Sequence, residues 1–233
     1  MKYYLVEPCT FEIGDLNNQD KRASPSHTVE IKDPFFVCEK LVTQGIWFEI
    51  TGTNPSKHQH DVESFFRPVE SVSYQDVLDF LEILNARYSN TVYLGMKGNW
   101  RLPSEAEWEC FARCGTTSTW SFGNDEFELS EFAWYGANSG ASIKKTGLKK
   151  PNPWNIFDVH GLVAEWCRDY WSPSYAEPRT QLPHISQSTS RVIRGGSWFT
   201  DGTSTTSYHR SYADEDKRSD GIGLRLIWEP LEV

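Results

Sequence analysis

Arg191-Val-Ile-Arg-Gly-Gly-Ser-Trp198, answered downstream by Gly221-Ile-Gly-Leu-Arg-Leu226, decides how this chain folds. Both stretches are strand-like and carry paired or near-paired glycines, which permit backbone conformations and close approaches that side chains block. Between them runs Phe199-Thr-Asp-Gly-Thr-Ser-Thr-Thr-Ser-Tyr-His-Arg-Ser-Tyr-Ala-Asp214, rich in hydroxyls, aromatics and charge and poor in aliphatics. Such a composition does not make a core. The glycine-bearing brackets read as scaffold, and the segment between them as a surface that the scaffold presents to solvent or to a ligand.

Upstream, the pattern predicts strands over 2–6 and 27–31 and a short helix over 42–50 with Thr43 as its cap. The clearest helix spans 73–88: Val77, Phe80, Leu81 and Leu84 fall at i, i+3, i+4 and i+7 and form one apolar face. A second follows over 104–114, where Ser104 and Glu107 make a capping box. Beyond it the chain is dense in Gly, Pro, Asn, Ser and Trp, with few periodic runs, which predicts long ordered loops. The expected architecture is α+β, two helices packed on small antiparallel sheets within one domain spanning 1–233.

Hydrophobic residues make up only 38% of the 233 residues, while aromatics reach 14% with ten Trp, so the core is expected to be built from rings. The net charge of −9 disfavours nucleic acid and anionic membranes as partners. No apolar run approaches the length of a bilayer span. The opening Met1-Lys-Tyr-Tyr-Leu-Val-Glu7 reaches an acid too early for a signal peptide. The expectation is therefore a cytoplasmic protein. Five cysteines, an odd number, argue against a disulfide framework. Cys110 and Cys114 share a helix face and are expected to be reduced, packed thiols.

Several segments resemble, in order, the formylglycine-generating enzyme (sulfatase-modifying factor) family, which has a variant C-type lectin fold. The resemblance runs from Phe11-Glu-Ile-Gly14 and Pro25-Ser-His-Thr-Val29 through Val42-Thr-Gln-Gly45, Asn54-Pro-Ser56 and Pro68-Val-Glu-Ser-Val-Ser73. It is most specific at Trp100-Arg-Leu-Pro-Ser-Glu-Ala-Glu-Trp108, Asn155-Ile-Phe-Asp-Val-His-Gly161, Ala164-Glu-Trp-Cys167, Arg194-Gly-Gly-Ser-Trp198 and Gly223-Leu-Arg225. It implies that fold. It does not imply the activity, because function resides in sites rather than folds.

The family's enzymes oxidise a substrate cysteine with copper held by two cysteines after the Gly-Gly-Ser motif. The resemblance places Thr200 and Thr205 at those positions, and hydroxyls cannot replace thiolates on Cu(I). The family's active-site Trp is Ala164 here, while Ser197 remains. Copper is therefore not expected, and formylglycine synthesis is disfavoured. Related domains occur in iron-dependent sulfoxide synthases. Of the six histidines (His27, His58, His60, His160, His184 and His209), His58 and His60 form the only close pair, with Asp61 and Glu63 nearby. They are a candidate iron site set against a solvated loop.

The resemblance also implies a structural calcium site, with side-chain ligands from Asp158 and Glu165 and carbonyl ligands from Gly161 and Val163, since calcium takes several hard oxygens in flexible geometry. The alternative pairs Glu165 with an arginine such as Arg194 and lets Asp158 cap a turn.

Without the copper pair, the 198–214 segment reads as a recognition surface for a protein or peptide ligand. Trp198, Phe199, Tyr208 and Tyr212 supply rigid contact area, and Asp201, His209, Arg210 and Asp214 supply charge and hydrogen bonds. The variable proteins of diversity-generating retroelements display ligand-binding residues in the same stretch of this fold. The leading expectation is a non-catalytic binding module, acting alone or docking substrates for a catalytic partner protein. The alternatives are a metal-dependent, oxygen-using enzyme and a retroelement-type variable binder.

Overall fold

In the computed structural model, which describes residues 1–176 and 188–231, the quoted stretch becomes the centre of a four-stranded sheet. Strand β8 (Ser190–Arg194) lies between β7 (Ala164–Tyr170) and β9 (Arg210–Asp214), antiparallel to both, and β10 (Ile222–Gly223) pairs in parallel with the start of β7. The segment between the glycine brackets thus leaves the sheet at the end of β8 and returns as β9. Its scaffold pins it at both ends.

A five-stranded sheet stands beside it in the order β1 (Tyr3–Val6), β4 (Phe35–Cys38), β11 (Ile227–Pro230), β6 (Met96–Arg101) and β5 (Val92–Tyr93). The antiparallel hairpin β2 (Cys9–Ile13) and β3 (His27–Ile31) forms a third, separate sheet. Sheet content thus exceeds the two strands expected upstream. β4, for example, is buried at every position, so it lacks the alternation that marks a half-buried strand.

The helices follow their local signals. α1 (Gln44–Thr51) is capped by the Thr43 hydroxyl, which accepts from the Ile46 amide. α2 (Tyr74–Arg87) opens with a Ser73/Asp76 capping box and buries Val77, Phe80, Leu81 and Leu84. α3 (Glu105–Arg113) opens with the Ser104/Glu107 box, and α4 (Leu129–Phe132) is a single turn. Each box satisfies two amides that the first helical turn leaves free.

The core is built from rings, as the composition predicts: Trp108, Trp166 and Trp228 are fully buried, and Trp47 stacks on Phe80 at 4.6 Å between centroids. The largest cluster lies between α1, α2 and the two larger sheets, and a second lies under α3 and the β2–β3 hairpin. The five cysteine thiols are free. Cys110 Sγ lies 3.4 Å from Cys9 Sγ, across from the hairpin, rather than being matched with Cys114, which caps α3 in a left-handed conformation. His184 lies outside the described residues. Among those described, no helix is long and apolar enough to cross a membrane.

Candidate functional site

The chain turns off the end of β8 through Gly195 (φ 98°) and Gly196 (φ 71°). A Cβ on Gly196 would lie 2.8 Å from the Ser204 carbonyl oxygen, so the left-handed backbone and the close approach both require glycine here. The turn is then tied by hydroxyls. Thr200 Oγ1 accepts from the Ser197 amide at 2.9 Å and donates to the Ser197 carbonyl at 3.1 Å. Thr205 Oγ1 donates to the Gly202 carbonyl at 2.7 Å and accepts from Trp120 Nε1 at 3.1 Å, entirely out of solvent. The two positions where the resemblance would put copper thiolates are thus hydroxyls committed to the loop's own architecture.

Beside this turn is a pocket of about 210 Å³. Its apolar walls come from Ala164, Ile193 and Ile222, and its hydroxyls from Ser197, Thr200, Ser204, Ser211 and Ser219. Phe199, His209, Gly196 and Gly221 complete the lining. Ala164 opens this space, since a large ring on the same strand position would occupy it. Ser197 Oγ is buried and has no hydrogen-bond partner among the described residues. His209 is driven down to about 4 by burial and by the neighbouring Arg22 and Arg194 charges, so it lines the pocket as a neutral imidazole. The pocket is therefore uncharged and hydroxyl-rich, with an apolar wall.

The proposed recognition residues divide by exposure. Phe199 and Tyr212 are about half exposed, and Tyr212 is braced from behind by Trp171, 4.8 Å away in a stacked pair. Asp201 and Asp214 are also exposed. The Thr203 hydroxyl and the Ser204 amide hold the Asp201 carboxyl below its usual range, and Asp214 accepts from Ser190 Oγ at 2.5 Å.

The other four residues depart from that reading to different degrees. Arg210 is fully buried: it forks onto Glu105 and donates to the Arg22 and Ser172 carbonyls, so it holds the loop from within. Trp198 is only 9% exposed; its Nε1 donates to the Asp220 carbonyl and its ring meets Phe199 and His58 edge-on. It supports Phe199 instead of presenting itself. Tyr208 is half-buried against the α3 cluster, and His209 lines the pocket wall.

The residues present do not fit the implied calcium ion as arranged. Both Glu165 carboxylate oxygens receive N–H groups from the buried guanidinium of Arg225, at 2.8–3.2 Å, so a cation already occupies them. Asp158 is buried and accepts from the Gly147 amide at 2.7 Å. Burial raises its carboxyl to about 6 against that hydrogen bond. Gly161 (φ 139°) packs on the Trp134 carbonyl, and Val163 is fully buried with Leu41, Ile143 and Leu162. Arg225, not Arg194, is thus the partner of Glu165.

The candidate iron pair also separates. His58 turns its Nε2 toward Asp220 at 3.4 Å, while His60 is exposed. Asp61 pairs with Arg67 and Glu63 with Lys145. Among the described residues no group of three or more His, Cys, Asp or Glu side chains is placed to hold a metal ion.

Two features of the site had no sequence signal. The first is a polar cluster of Lys57, His58 and Asp220, brought together from segments more than 160 residues apart, with Lys57 Nζ 2.7 Å from the Asp220 carboxylate. The second is the ion network beneath the glycine turn, where Arg194 pairs with Glu109 and Glu109 also accepts from the Gly14 amide and from Arg113.

The chaperone protein LppX of Paenibacillus barcinonensis is 26% identical to this chain, over 96% of the chain and 88% of its own length. The formylglycine-generating enzyme of Streptomyces coelicolor is 33% identical over 58% of the chain. That match covers 48% of the enzyme's length. Among solved structures, Treponema denticola variable protein 1 superposes with a TM-score of 0.87 at 28% identity, covering 98% of this chain and 95% of that one. Residues 2–230 match the family model of the sulfatase-modifying factor enzyme 1-like domain, and the chain belongs to that family, with the formylglycine-generating-enzyme variant of the C-type lectin fold.

Proposed function

We propose that this chain is a non-catalytic binding module that recognises a protein or peptide by seating one neutral side chain in the pocket beside Gly196, with Phe199 and Tyr212 as exposed aromatic anchors. The observation that carries the reading is the state of Thr200 and Thr205. Where the family's copper enzymes need two free soft ligands, these hydroxyls brace a turn, and the space next to them is a neutral, hydroxyl-lined pocket.

The chemistry of the pocket suits a side chain with an apolar body and one hydrogen-bonding tip. Ile193, Ile222 and Ala164 would cover the body, and the part-exposed hydroxyls of Ser204, Ser211 and Ser219 would meet the tip. A charged side chain would lose its hydration with no opposite charge in the lining to replace it. Two relatives that match nearly the whole chain, one named a chaperone and the other a variable protein, also support a role in holding other molecules.

The test is selection of binders from a random peptide library displayed on phage, followed by affinity measurements on variants. Peptides selected on the wild type should lose at least about tenfold in affinity on Ser211→Trp, which blocks the pocket from its half-exposed rim. Equal affinity on that variant would remove the pocket from the reading. Conversion of a cysteine-bearing sulfatase-motif peptide to formylglycine with copper and oxygen would overturn the non-catalytic assignment.

A further inference from the structure

A second pocket, of about 280 Å³, lies away from the glycine turn, between the β2–β3 hairpin and the C-terminal half of α3. Cys9 and Phe11 of β2 line one side, Cys110 and Arg113 of α3 the other, and Thr116 and Trp154 close the end. The two thiols stand with their sulfurs 3.4 Å apart. Cys9 is partly exposed, whereas Cys110 is buried. A disulfide needs about 2.05 Å between sulfurs, so the two sulfurs, already in contact, must draw closer to bond.

We propose that Cys9 and Cys110 form a dithiol site for a low-molecular-weight disulfide, which enters this pocket, exchanges with Cys9 and leaves the two cysteines joined. Cys9 loses its proton to solvent, and its thiolate attacks one sulfur of the small disulfide. The first small thiolate departs and takes up a proton, leaving a mixed disulfide on Cys9. Cys110 then loses its proton and attacks the Cys9 sulfur, expelling the second small thiolate, which is protonated in turn. One disulfide is broken and one is formed. The protein dithiol is oxidised by two electrons and the small disulfide is reduced to two thiols.

The order follows from the environments. Burial, and next the adjacent Cys9 thiol, push the Cys110 thiol pKa far up, so Cys110 stays protonated while the accessible thiol reacts first. Cys114, held up to about 12 by burial, lines no part of this pocket. Closure would join residues 101 positions apart and tie the hairpin to α3, next to the contacts that Gly14 makes with Glu109 and Arg113.

The experiment incubates the reduced full chain with bis(2-hydroxyethyl) disulfide and follows intact mass, peptide mapping and melting temperature. The expected product has lost two hydrogens, contains a Cys9–Cys110 cross-link, and melts about 5 °C or more higher because a long loop is closed in the unfolded chain. Dithiothreitol should reverse all three changes. In Cys110→Ser the reaction should stop at a single mixed disulfide on Cys9. A stable small-thiol adduct on wild-type Cys9, a cross-link involving Cys114, or no reaction where the denatured chain reacts would each overturn the proposal. The wild-type map decides the matter even if a variant misfolds.

Discussion

Arg210 and Glu105 meet out of solvent in a two-point ion pair, with Nε 2.5 Å from one carboxylate oxygen and Nη2 2.9 Å from the other. β9 is thereby locked to the first turn of α3, and the recognition segment is held by a residue that its polar composition made look like part of the surface.

Arg210→Ala would take the two-point partner from a buried carboxylate that the Nε of Arg194 also approaches, at 3.5 Å. The expected loss is about 3 kcal/mol or more of stability, read by urea denaturation. Arg210→Lys should recover little of it, because an ammonium cannot fork onto two oxygens. Wild-type stability in Arg210→Ala would mean that Glu105 is not held as a charge.

The same burial predicts an acid limb. His160 is enclosed, with Nδ1–H donating to the Thr205 carbonyl at 2.9 Å and Nε2 accepting from Ser121. Burial lowers it to about 4, against the hydrogen bond to Thr205, which works to raise it. Because the folded value lies below the unfolded one, its contribution is complete above pH 6.5 and is lost as the pH falls through about 4. The amount is roughly 3 kcal/mol, and His209, shifted the same way but less enclosed, adds a smaller share. His160→Gln should flatten the slope of stability between these limits whatever it does to the absolute value. An unchanged slope would assign the acid limb to other groups.

Calcium provides a third test. With Arg225 on both oxygens of Glu165, added calcium or a chelator should move the melting temperature by less than about 1 °C, since a ligand stabilises only by binding the folded form. A rise of several degrees that disappears in Asp158→Asn would mean that the ion displaces Arg225 from Glu165.

These cases mark where the sequence is readable. α2 and α3 are legible because their signals are local: an apolar period, and a Ser three residues before an acid. The Gly195-Gly196 turn is legible because only glycine satisfies both its dihedrals and its contacts. The burial of Arg194, Arg210 and Arg225 is not legible, because a buried guanidinium differs from a surface one only by partners 60 to 105 residues away. Glu165 illustrates the difficulty. Its cross-strand neighbour is Arg194, yet its ion pair is with Arg225, while Arg194 turns to Glu109. Phe199, Asp201, Tyr212 and Asp214 of the 198–214 segment are exposed.

Recognition and support can be separated inside one short segment. Phe199→Ala and Tyr212→Ala remove half-exposed rings and should leave the melting temperature within about 2 °C of wild type, while weakening a selected peptide by tenfold or more. Trp198→Ala should do the opposite first, costing about 3 kcal/mol of stability, because the indole is buried and its N–H holds the Asp220 carbonyl. Gly221→Ala is the most discriminating change. Its new Cβ would fall 2.5 Å from the Phe199 ring, which can swing away, and 3.1 Å from Ser197 Cβ, which must give by a few tenths of an ångström. The fold should therefore survive while the anchor is displaced. If Gly221→Ala binds as the wild type does, the position of Phe199 is irrelevant to recognition. If it binds as weakly as Phe199→Ala at normal stability, the ring is an anchor whose placement depends on the second glycine bracket.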